Sequence, residues 1–66
     1  MINPSIHRLL LGKRELEAVT ILKKFKCHFQ IISRDGAAVN NILNDRNDDR
    51  YNLVITDGIV ERVIAG

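Results

Sequence analysis

Apolar positions along this 66-residue chain change their period between its first and second halves. Leu16, Ala18, Val19, Ile21, Leu22 and Phe25 recur at helical spacing, leaving Lys13, Arg14, Glu17, Lys23 and Lys24 outward. That spacing predicts a main helix over about 13–24. Glu15 and Glu17 sit at its amino end and Lys23, Lys24 and Lys26 at its carboxyl end, as the helix dipole favours. FQII (29–32) is almost continuously apolar and predicts a central strand covered by the helix. In YNLVIT (51–56), Tyr51, Leu53 and Ile55 alternate with Asn52, Val54 and Thr56, the period of a strand. Asp57-Gly58 suits a type I′ turn, which needs positive φ at both central residues, and predicts a hairpin into a third strand over 59–64. Upstream, Asn3-Pro4-Ser5 reads as an extended lead-in, because the residue before proline is pushed away from α. IHRLLLG (6–12) reads as a short turn of helix ending at Gly12.

These elements predict an α+β fold, with one main helix packed on a small mixed β-sheet in two layers. A single domain over 1–66 is expected. Between the first two strands lies a polar segment, DGAAVNNILNDRNDDR (35–50). Long loops in compact domains are usually functional or disordered. This one is anchored by a strand at each end, so an exposed binding loop over 35–50 is expected.

A chain this short buries roughly 60% of the surface its unfolded form exposes, so its stability depends on a compact core or on association. The 45% hydrophobic content, rich in Ile, Leu and Val, argues against general disorder. Cys27 has no second cysteine to pair with, and two histidines with one cysteine fall short of a zinc-finger pattern. No metal or other cofactor is expected. The unpaired cysteine fits a reducing cytoplasm, and no stretch has the length of a signal-peptide core or a membrane span.

The net charge of +2 conceals an uneven distribution. Arg8, Lys13, Arg14, Lys23, Lys24, Lys26 and Arg34 face only Glu15 and Glu17 in the first half, and the other acids gather later. Without an aromatic platform, the basic helix reads as a solvated face rather than a nucleic-acid surface.

Asn40, Asn41, Ile42, Leu43 and Asn44 form the expected loop tip. One reading sends Ile42 or Leu43 into a partner's apolar pocket while asparagine amides bond the partner. The other has asparagines satisfying turn geometry and the apolar pair folding back on the core. Arg46 and Arg50 are candidates either for loop support or for clamping a phosphate with their forked donors. The stretch 45–49 is rich in oxygen ligands. It fails as an EF-hand, because Arg50 and Thr56 occupy the glycine and glutamate positions. Cys27 and His28 are adjacent on a strand and point to opposite faces, so they do not make a nucleophile and base. With no glycine-rich phosphate loop and no paired carboxylates on a rigid element, the chain reads as no enzyme.

Three stretches taken together resemble the potato inhibitor I family of serine protease inhibitors and its bacterial relatives. LLLGKRELEAVTIL (9–22) is similar to the Leu-x-Gly-Lys approach to the family's helix. FQIISRDGAAV (29–39) is similar to the strand rising into its binding loop, and DRYNLVITDGIVERVIAG (49–66) to its Asp-Arg motif, second strand, hairpin and tail. The resemblance implies a wedge-shaped domain whose exposed loop joins two parallel central strands. It places Asn40 and Asn41 before the family's scissile bond, Ile42 after it, and Arg50 at the supporting arginine, with Arg46 as a second support. The family's acidic loop residue has no counterpart here, and the loop is a few residues longer.

The function expected from this is a non-enzymatic inhibitory binding protein presenting the 37–48 loop to a protein target, with serine proteases as a candidate class. The alternative is an oligomeric sponge of the kind some small phage proteins form, holding a cyclic nucleotide with Arg46 and Arg50. No membrane partner is expected, and self-association is left open.

Overall fold

The computed structural model describes residues 1–66 as two helices packed on a four-stranded mixed sheet. Helix α1 spans Pro4–Leu10 and α2 spans Glu15–Lys24; the strands are β1 (Phe29–Arg34), β2 (Ala37–Ala38), β3 (Tyr51–Thr56) and β4 (Ile59–Ala65). The sheet order is β2-β1-β3-β4, with β1 and β3 parallel and the outer pairs antiparallel. No helix is long and apolar enough to cross a membrane.

The amino-terminal stretch is more helical than its proline suggests. Asn3 stays extended, and its side-chain oxygen accepts from the amides of Ser5 at 2.8 Å and Ile6 at 3.3 Å. Pro4 then begins the helix, where its missing N–H costs nothing. The Asn3 amide also donates to the buried Tyr51 hydroxyl at 3.0 Å, which ties α1 to the sheet.

Alternation along β3 sorts the two faces of the sheet. Tyr51, Leu53 and Ile55 face the helices and bury against Leu10, Ala18 and Leu22, with Val60 and Val63 from β4 completing the core. The apolar side of α2 is narrower than its spacing predicts. Only Ala18 and Leu22 are buried, whereas Leu16 is 77% and Phe25 51% exposed. A ten-residue helix over so small a sheet fully covers only these two side chains, with Ile21 packing against the core in part. Segment 12–15 runs beside the start of β4: the Gly12 amide donates to the Val60 carbonyl, Val60 to Lys13, and Glu15 to Gly58. This covers part of an otherwise open sheet edge.

Residues 35–50 are not one loop. Asp35 and Gly36 have φ of 53° and 81°, a tight reversal that returns the chain as β2 beside the end of β1. It carries the same Asp-Gly dipeptide as the second hairpin, where Asp57 and Gly58 have φ of 52° and 76°. The two turns touch, since the Asp57 amide donates to Asp35 Oδ1 at 2.8 Å. The irregular connection is therefore 39–50, and it leads from the sheet edge back to the start of β3.

Candidate functional site

The second face of the sheet, away from the helices, carries the pair Gln30 and Asn52, adjacent across β1 and β3. These two polar residues anchor the 39–50 connection. Asn52 is buried, and its Nδ2 donates to the Ile64 carbonyl at 2.9 Å and the Gly66 oxygen at 2.7 Å. Its Oδ1 accepts from Gln30 Nε2 at 2.8 Å. Gln30 in turn bonds the main chain of Leu43, donating to its carbonyl at 2.9 Å and accepting from its amide at 2.8 Å.

Arg50 closes this network from the other side. Only 4% exposed, it donates through Nε to the Gly66 oxygen at 2.9 Å. Nη1 donates to Asp45 Oδ1 at 2.9 Å, and Nη2 to the Asp45 carbonyl at 2.6 Å. The bond from Arg50 holds the Asp45 carboxyl below the ordinary carboxylate value, against a smaller opposing effect of desolvation. A continuous polar path thus runs from Leu43 through Gln30, Asn52, Gly66 and Arg50 to Asp45, pinning the connection at two points two residues apart. Beneath these pins is a shallow crevice of about 260 Å³, with Ile32, Ile42 and Ala65 among its lining residues.

The expected tip residues divide into distinct environments. Asn40, Asn41 and Asn44 are exposed, and Asn41 adopts a left-handed φ of 63°. Ile42 and Leu43 both line the crevice, but Ile42 is half-buried there whereas Leu43 is 62% exposed. Arg46 and Arg50 occupy opposite extremes. Arg50 is buried with all three nitrogens engaged, while the Arg46 side chain is 91% exposed and reaches Asp48 only at 4.0 Å. Asp49 pairs with the Met1 amino group, which holds its carboxyl low, and its amide donates to Asn47 Oδ1 at 3.1 Å. Cys27 is half-buried, with its thiol directed at the Phe25 carbonyl 3.7 Å away, and His28 is exposed.

Gln30 and Asn52 were legible only as polar positions in otherwise apolar strands. That interruption is the available signal, because a polar residue on a strand needs either water or a partner. No protein-family model, curated protein or solved structure matches the chain.

Proposed function

We propose that this is a non-enzymatic inhibitory binding protein that presents the 37–48 segment to a protein target. The observation that supports it is Leu43, a large apolar side chain left 62% exposed on main chain that is itself held at both its amide and its carbonyl. An exposed apolar side chain on a pre-ordered backbone gains burial on binding without the cost of ordering a flexible loop. The parallel β1 and β3, with the exposed connection between them, are compatible with a potato inhibitor I-like scaffold. In that reading Arg50 supports the loop from within, and the carboxylate it meets is Asp45 rather than a residue at the tip.

Serine proteases with apolar primary pockets are the first target class to test. Inhibition of subtilisin or chymotrypsin is measured with the wild type and with Leu43→Ala. Inhibition that weakens by about tenfold or more on loss of the leucine side chain supports the reading, the scale expected for burying such a group. No inhibition by the wild type of either enzyme removes this target class.

A further inference from the structure

One contact in the 39–50 connection does the work of a neighbouring strand with a single side chain. The carboxamide of Gln30 donates to the Leu43 carbonyl and accepts from the Leu43 amide. A carboxamide carries the same donor and acceptor as a peptide unit, so this pair reproduces two rungs of a β-ladder. Gln30 is itself fixed, because its Nε2 also donates to Asn52 Oδ1, and Asn52 is buried with both other bonds directed at β4 and the tail. The amides of Ile42 and Asn44 on either side of Leu43 have no such partner.

We infer that Gln30 is the positioning residue of the binding loop. It holds the main chain at residue 43 against the sheet and delivers the Leu43 side chain to an aliphatic pocket of the target. It also withholds the two main-chain groups that an extended substrate offers a protease. The delivery step rests on the proposed binding role of the loop; the clamp itself does not. Extended peptides are recognised by main-chain pairing, with pockets taking alternate side chains. At Leu43 both main-chain groups are already occupied, and at Asn41 the left-handed φ of 63° lies outside the extended region. With those groups held by Gln30, the bond following Leu43 resists hydrolysis despite its exposed leucine.

The test is limited proteolysis of the full chain by subtilisin, with cleavage sites mapped by mass spectrometry, for the wild type, Gln30→Glu and Leu43→Ala. Gln30→Glu keeps the size of the side chain but replaces the donor to Leu43 and Asn52 with an acceptor. Cleavage after Leu43 is expected to rise about tenfold in Gln30→Glu, the scale of one lost hydrogen bond with its partner left unsatisfied. Hydrogen exchange at the Leu53 amide, unchanged in the same variant, shows that the loop rather than the whole fold has opened. Equal cleavage of wild type and Gln30→Glu after Leu43 overturns the clamp. In the wild type alone, the Leu43 amide is expected to exchange more slowly than those of Ile42 and Asn44; equal exchange overturns the clamp without reference to any variant. Inhibition of subtilisin that is unaffected by Leu43→Ala overturns delivery of Leu43. Absence of inhibition together with faster cleavage of Gln30→Glu removes the protease-inhibitor reading and leaves the clamp standing.

Discussion

Arg50 meets Asp45 twice, once at the carboxylate Oδ1 at 2.9 Å and once at the main-chain carbonyl at 2.6 Å. The second contact matters more for shape, because it fixes backbone where the first fixes only a side chain that is 65% exposed. With its Nε on the Gly66 oxygen, Arg50 joins the connection, the start of β3 and the end of the chain. Arg50→Ala removes the donor to both Asp45 oxygens and one of the two donors to the Gly66 oxygen, and empties a site where the arginine is only 4% exposed. A loss of about 2–3 kcal/mol is expected in denaturant unfolding, and Arg50→Lys, lacking the fork, recovers only part of it.

The acid side of the stability profile should report the same contact. The Asp45 carboxyl is held below its ordinary value of 3.8, first by the hydrogen bond from Arg50, and that of Asp49 first by its bond with the Met1 amino group. A carboxyl with a depressed folded-state value stabilises above its unfolded value, and this contribution disappears as pH falls through the folded value. The melting temperature should therefore hold down to about pH 4 and decline below it. Asp45→Asn should make that decline shallower, measured by thermal melts between neutral and strongly acidic buffer.

Asn52 is a test of satisfied burial. It is 6% exposed and makes three hydrogen bonds, two of them as donor to the Ile64 and Gly66 oxygens. Asn52→Asp preserves the shape and sets acceptor against acceptor at both. About 2–3 kcal/mol of stability should be lost at neutral pH, with partial recovery in acid as the new carboxyl protonates and regains one donor. Unfolding curves at two pH values would show it, and an equal loss at both would contradict the account.

The two Asp-Gly turns separate backbone strain from packing. Gly36 and Gly58 have φ of 81° and 76°, and a Cβ at either position meets nothing within 4 Å. Gly58→Ala should thus cost only the strain of a left-handed residue, about 1 kcal/mol. Asp35→Ala should cost a similar amount, about 1 kcal/mol, by removing the acceptor of the Asp57 amide. Thermal melts of each variant read both effects.

The core variant sets the upper scale. Leu53 is fully buried between the helices and the neighbouring strands. Leu53→Ala is expected to lose about 3 kcal/mol, a large share of what a domain this small has, so circular dichroism should show substantial unfolding near physiological temperature.

The pattern of residues was enough for the α+β class, for α2, for the alternating faces of β3 and for the hairpin at Asp57-Gly58. These depend on neighbours within one element, where period and turn chemistry act directly. Local signals are also present for two features that depart from the expectation: Asn3-Pro4 is the cap and first residue of α1, and Asp35-Gly36 is a second I′-like reversal rather than the start of a long loop. Tertiary structure alone decided the rest. Which apolar residues of α2 are buried depends on how wide a sheet lies beneath it, so Leu16 and Phe25 fit the helical pattern yet face solvent. Whether Arg50 is free for an anion or committed to the fold depends on where the irregular connection leaves Asp45 and where the returning β4 leaves Gly66, neither of which a periodic spacing specifies. The same holds for Gln30 and Leu43, thirteen residues apart, whose pairing exists only because the chain returns from β2 across the sheet.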